Sequence, residues 1–253
     1  MKALVWVAVA VVVCTIVVGC SDVGPSAASL SRAANLLDNG KYHAADKEMS
    51  AAIASDPTNL DTYTTAIALY SDRLRFADAA HVADTLQARL KSGKLTPKPS
   101  DEELGSLYLM FGLTYQQARR LDDAQNAYKN ALALFPNSPH ILNNLGWFYA
   151  DEGINLNEAL RLTKRAASLL PKDGNVVDSL GWAQFKSGRY ETSARTLKRA
   201  VELEPDNSEL RYHLGAAYSR IGKHIEANIE LRKALILTPN MTKASLLLKT
   251  LQK

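Results

Sequence analysis

Prolines recur at Pro136, Pro171, Pro205 and Pro239, spaced 35, 34 and 34 residues apart, with an earlier one at Pro57. An alanine stands five residues before each of them: Ala52, Ala131, Ala166, Ala200 and Ala234. Further back comes a glycine with an aromatic or aliphatic residue two positions later, as in Gly40-Lys41-Tyr42 and Gly188-Arg189-Tyr190, and in the related Gly222-Lys223-His224. Leu145-Gly146, Leu180-Gly181 and Leu214-Gly215 open the later units, and Phe111-Gly112 another. A fixed period of this length constrains the chain more than any single motif does. One such unit cannot bury both of its faces, so stability has to come from stacking neighbours. Alternating apolar runs bounded by turns, the mark of strands, do not occur. The expected class is all-α.

The pattern resembles the tetratricopeptide repeat, a helix–turn–helix of about 34 residues. Six units start near Ser26, Leu60, Gly105, Pro139, Gly174 and Ser208. The resemblance implies a right-handed solenoid whose inner, concave face is formed by the first (A) helix of each unit. It places the repeat domain over 29–239, with the first two units degenerate and a loop over 91–104, where Pro97 and Pro99 fall. Residues 240–253, apolar at Leu246, Leu247, Leu248 and Leu251, read as a capping helix. Gly112 with Ala124, Gly146 with Ala159, and Gly215 with Ala227 are expected to let paired helices approach closely. Tyr115, Tyr149 and Tyr218 would fill the space between helices. A glycine ends helix A, because a left-handed C-terminal residue favours glycine.

The N-terminus reads as an address. Met1-Lys2 gives a short positive start, and 3–18 runs apolar with Thr15 as its one polar interruption. That is short for a transmembrane helix, which needs about 20 apolar residues, and fits a secretory signal. The run ends Val17-Val18-Gly19-Cys20, which resembles the bacterial lipobox. The resemblance implies a signal peptide over 1–19, acyl chains such as palmitate on Cys20, and a flexible tether over 20–28. An uncleaved N-terminal anchor is the alternative. Ser21 rather than Asp after the cysteine resembles the default signal for the outer membrane, facing the periplasm. Cys14 would leave with the signal, so a disulfide scaffold and a cysteine-based zinc site are both excluded.

Catalytic chemistry is not found. Each Gly-Lys pair is followed by Tyr42, Leu95 or His224, where a P-loop needs Ser or Thr. The five histidines, His43, His81, His140, His213 and His224, have no i,i+4 pairing that would set two metal ligands on one helix face, and each reads as a surface or repeat-position residue. Lys plus Arg number 30 against 26 for Asp plus Glu, too small and scattered an excess for nucleic acid. The expectation is a non-enzyme with no cofactor, no metal and no small-molecule substrate.

What the resemblance offers instead is a groove. Family positions that line the concave face fall here on Leu109, Leu113, Asn143, Trp147, Asp178, Trp182, Phe185 and Tyr212. Trp147 and Trp182, one repeat apart, would lie side by side, either in the groove or packed between A helices. Aromatic residues interleaved with Asn and Asp suit a peptide-binding surface. In architecture the chain resembles bacterial lipoproteins that act as pilotins or as scaffolds of envelope assembly. The expected function is a membrane-tethered scaffold that binds another envelope protein or peptide in the groove. The alternative is a regulator of a peptidoglycan hydrolase or other envelope enzyme.

Overall fold

The computed structural model describes residues 24–251. Thirteen helices and no strand occur among the described residues, and the chain divides into two compact units, one ending at Leu134 and the other beginning at Phe135.

The first unit holds α1 (Pro25–Asp38), α2 (Tyr42–Ser55), α3 (Leu60–Asp72), α4 (Phe76–Lys91), α5 (Asp101–Gln117) and α6 (Leu121–Leu134), paired as three antiparallel hairpins. Two expected boundaries move. Residues 25–28, expected as tether, are the first turn of α1. Pro25 starts that helix because its missing N–H is not needed there. The loop expected over 91–104 ends at Ser100, four residues earlier than expected. Ser100 Oγ accepts from the Glu103 N–H at 3.2 Å while a Glu103 carboxylate oxygen accepts from the Ser100 N–H at 2.7 Å. This reciprocal cap nucleates α5 at Asp101.

Consecutive hairpins of the first unit are joined by one arrangement used twice. Tyr70 donates its hydroxyl to Asp46 at 2.9 Å, and Arg75 pairs with Asp46 at 2.8 Å and with Asp78 at 2.7 Å. One hairpin later Tyr115 donates to Asp84 at 2.9 Å, and Arg120 pairs with Asp84 at 2.7 Å and with Asp123 at 2.8 Å. Each guanidinium also lies over its tyrosine ring, 5.0 Å and 4.6 Å from the centroid. Burial raises the Asp46 and Asp84 carboxyls, but hydrogen bonds from arginine and tyrosine outweigh it and hold both below the ordinary carboxylate value. The arginines follow Leu74 and Arg119, which take a left-handed φ of 61° where other units place Gly40, Gly188 or Gly222. The strain of a side chain at that turn is accepted next to the residue that ties two hairpins together.

The second unit holds α7 (Pro139–Glu152), α8 (Leu156–Leu169), α9 (Gly174–Lys186), α10 (Tyr190–Leu203), α11 (Ser208–Arg220), α12 (His224–Leu237) and α13 (Thr242–Thr250). Asp173 and Asn207 cap α9 and α11 by accepting backbone N–H groups in the first turn. The hairpins close where a glycine meets the facing helix. A Cβ on Gly181 would fall 2.6 Å from Leu197, and one on Gly112 in the first unit 2.5 Å from the Tyr128 ring. The nearest contacts of the expected glycines are with Tyr128 for Gly112, Thr163 for Gly146 and Leu231 for Gly215; of the expected partners Ala124, Ala159 and Ala227, Ala227 is also met, through its carbonyl oxygen at 3.4 Å. These alanines are fully buried. Val177, Leu197, Val201, Leu210, Leu214 and Ala217 form the core between α9, α10 and α11. Met241 and Ala244 seat α13 on Leu231 and Ala234, with Leu247, Leu248 and Leu251 alongside; Leu246 turns outward.

Candidate functional site

In the second unit α7, α9 and α11, the first helices of three successive hairpins, pack side by side. Trp147 comes from α7, Trp182 and Phe185 from α9, and Tyr212 and His213 from α11. The Trp147 and Trp182 rings stack with centroids 6.4 Å apart and an interplanar angle of 27°. Trp182 is held between Phe185, at 4.8 Å and nearly parallel (3°), and the His213 imidazole, at 4.2 Å. Tyr212 lies 6.5 Å from Trp182 and is tilted by 48°.

The aromatic group forms because the repeat returns each helix position to the same place after about 34 residues. Trp147 and Trp182 share one register position. Phe185 lies one turn beyond Trp182 on the same helix face. Tyr212 and His213 arrive from the next helix.

Three residues expected to line a groove are buried instead. Trp182 is 8% exposed, because Phe185 and His213 cover both of its faces. Asp178 is 1% exposed and points into the seam between α9 and α11. There His213 Nδ1 donates to both of its carboxylate oxygens, at 2.9 and 3.0 Å. Asn143 is buried in α7. Trp147, Phe185 and Tyr212 remain half-exposed. Leu109 and Leu113 are half-buried residues of α5 and belong to the first unit. Cys20 lies outside the described residues.

His213, expected as a surface or repeat-position residue, is 3% exposed and is the polar centre of the group. Its signal was present in the sequence: Asp178 and His213 are 35 residues apart, which places them on facing positions of adjacent A helices.

Two polar atoms in the group lack a partner among the described residues. They are the buried Asn143 Oδ1, an acceptor, and the buried Trp182 Nε1, a donor. Unpaired buried groups of this kind cost about 1–3 kcal/mol each, so a ligand that supplies the missing partner gains from it. The rim carries both signs of charge. Lys186 lies 5.6 Å from the Trp182 centroid, and Lys243 lies 4.5 Å from that of Tyr212 while pairing with Glu209. Burial, and then the charges of Glu209 and Asp151, push the Tyr212 hydroxyl above its ordinary value. Such a surface offers stacking, one donor and one acceptor.

No group of three or more His, Cys, Asp or Glu able to hold a metal ion occurs among the described residues. None of the described helices is long and apolar enough to cross a membrane.

The family described as Tetratricopeptide repeat matches residues 109–173, and that described as TPR repeat matches 181–222. Among solved structures, a chain of the APC/C hetero-tetramer Cut9–Hcn1 superposes with a TM-score of 0.64 at 19% identity. That match covers 90% of this chain but 43% of the other, so this protein spans less than half of its length. YrrB, a TPR protein with an unusual peptide-binding site, superposes with a TM-score of 0.51 at 18% identity, covering 79% of this chain and 97% of that one. No curated protein sequence matches. The hairpins, their period and these likenesses agree: the chain carries tetratricopeptide repeats and has an all-α tetratricopeptide-repeat fold.

Proposed function

We propose that this protein is a non-catalytic scaffold that holds a segment of another protein against α7, α9 and α11 of its second unit. The observation that carries the reading is the aromatic group itself. Trp147, Phe185 and Tyr212 are half-exposed around a rigid Trp182, with an unpaired acceptor on Asn143 and an unpaired donor on Trp182 beside them. An extended peptide has what such a surface lacks: side chains to stack on the rings, and amide N–H and C=O groups for the two unpaired atoms. Large aromatic anchors contribute disproportionately to binding. The likeness in fold to YrrB, which has a peptide-binding site, is in keeping with this reading.

We place the scaffold in the bacterial envelope, attached by acyl chains on Cys20 and facing the periplasm. The lipobox-like Val17-Val18-Gly19-Cys20 supports this. Its mechanism is binding plus localisation, because a tether raises the effective concentration of a partner without new contacts.

A photo-crosslinking probe at Trp147, against a control probe at the exposed Lys198 of α10, tests the site in cells. One envelope protein captured from position 147 and not from 198 is expected, whereas equal capture or none from both would sink the reading. For the anchor, the parent chain should incorporate labelled palmitate and Cys20→Ala should not; a Cys20→Ala chain labelled as strongly as the parent rules out lipid on that cysteine.

A further inference from the structure

The outward face of α12 differs from those of the helices that precede it in the array. Ile225 and Ile236 are 77% and 78% exposed, Ile229 is 46% exposed, and Leu237 lies at the stripe's edge. Spaced at i, i+4 and i+11, the three isoleucines fall on one side of the helix, opposite the buried Ala227, Leu231 and Ala234. The internal repeat supplies the control. At the same register α10 carries Glu191, Arg195 and Glu202, and α8 carries Asn157, Arg161 and Ser168, all exposed. A helix that needed only to close its hairpin would look like those two. The last one is apolar on both sides.

We propose that this stripe docks on an anionic phospholipid surface, with the isoleucines entering the boundary between headgroups and acyl chains. The first argument is charge. Arg232 and Lys233 are exposed beside the stripe, while Lys223 and Glu226 offset each other as an ion pair at 4.0 Å. Glu230 is shared between Arg211 and Lys233, and Arg232 bonds the uncharged Asn228. Cations flanking a row of aliphatic side chains are the pattern of helices that lie in the membrane interface. The second argument is area. Three isoleucines and the edge of a leucine amount to well under the roughly 800 Å² per partner that a stable dimer buries. A bilayer needs no such minimum, since each buried side chain adds to whatever else holds the protein there. This inference does not rest on the peptide-binding reading, which concerns other helices.

The test uses the full chain on vesicles. A photo-crosslinker is placed at Ile229, or at Arg195, its counterpart one repeat earlier. Both versions share one N-terminus, so any difference between them reports the stripe. On vesicles of phosphatidylethanolamine and phosphatidylglycerol, position 229 is expected to label lipid severalfold more than position 195. The excess should fall severalfold with Arg232→Gln/Lys233→Gln or on phosphatidylcholine alone. Equal labelling from the two positions overturns the proposal. So does crosslinking of 229 to a second copy of the chain, which would make the stripe a dimer contact. Ile225→Gln/Ile236→Gln should melt like the parent; a large loss of thermal stability would mean the stripe is core and would equally overturn it. Failure here leaves capture from Trp147 untouched.

Discussion

His213 on α11 donates through Nδ1 to both carboxylate oxygens of Asp178 on α9, at 2.9 and 3.0 Å, while its ring stacks on Trp182 at 4.2 Å. One side chain thus closes a polar contact between two hairpins and forms one wall around the tryptophan. The pair is nearly sealed from water, so the partner that survives a substitution cannot be rescued by solvent.

Asp178→Ala should therefore lower the free energy of unfolding by about 2–3 kcal/mol, the cost of losing a charged hydrogen bond and leaving a buried donor unmet. Urea melts followed by far-UV circular dichroism measure it. A change below about 0.5 kcal/mol, the size of an ordinary surface substitution, would show that the pair is open to water.

The two tryptophans should separate. Trp182→Ala removes a ring packed on both faces and should cost about 3–5 kcal/mol of stability. Trp147→Ala, at a half-exposed position, should cost less stability and more of the binding to a crosslinked partner peptide, read by titration calorimetry. Equal thermal losses would place both residues in the core.

Gly181→Ala should destabilise by about 1–3 kcal/mol, because the new methyl meets Leu197 where the helices cross and overpacked sites relax only in part. Combining it with Leu197→Ala should lose less than the sum of the two single changes, since the clash and the cavity offset each other. Additive losses would mean that the helices move apart instead.

Asp46 and Asp84 have folded-state carboxyls below their unfolded value. Their contribution is thus present above the unfolded value and lost as pH falls through the folded one. Thermal stability of the protein should drop below about pH 4. Asp84→Asn should be less stable at neutral pH and show a shallower acid drop. An unchanged acid slope would mean that Arg120 and Tyr115 do not hold the carboxylate in solution.

The period carried most of the fold, because proline, glycine and alanine act locally and recur visibly. Boundaries slipped where a cap decides them: Ser100 and Glu103 start α5 through a pair of hydrogen bonds that the repeat register does not encode. The Tyr70/Arg75 and Tyr115/Arg120 ties were legible only in part: Tyr-x4-Arg-x2-Asp recurs, but the shared carboxylate, Asp46 or Asp84, comes from the preceding hairpin at a spacing that differs between the two. The aromatic residues of the site were legible as a set, because they recur at one register position or lie one turn away. Their exposure was not. Register tells which helix face a residue occupies, but Trp182 and Asp178 are covered by His213, a neighbour whose role depends on the pairing itself.

Every hairpin in a stacked array offers its successor a face to lie on, and that offer must be refused somewhere. Here α13 does so with Met241 and Ala244 against Leu231 and Ala234. The short helix thus occupies apolar surface on the last hairpin that a stacked neighbour would otherwise find open. Without it the final hairpin would present an open surface that any copy of the chain could try to continue, and the length of the array would be set by concentration rather than by sequence.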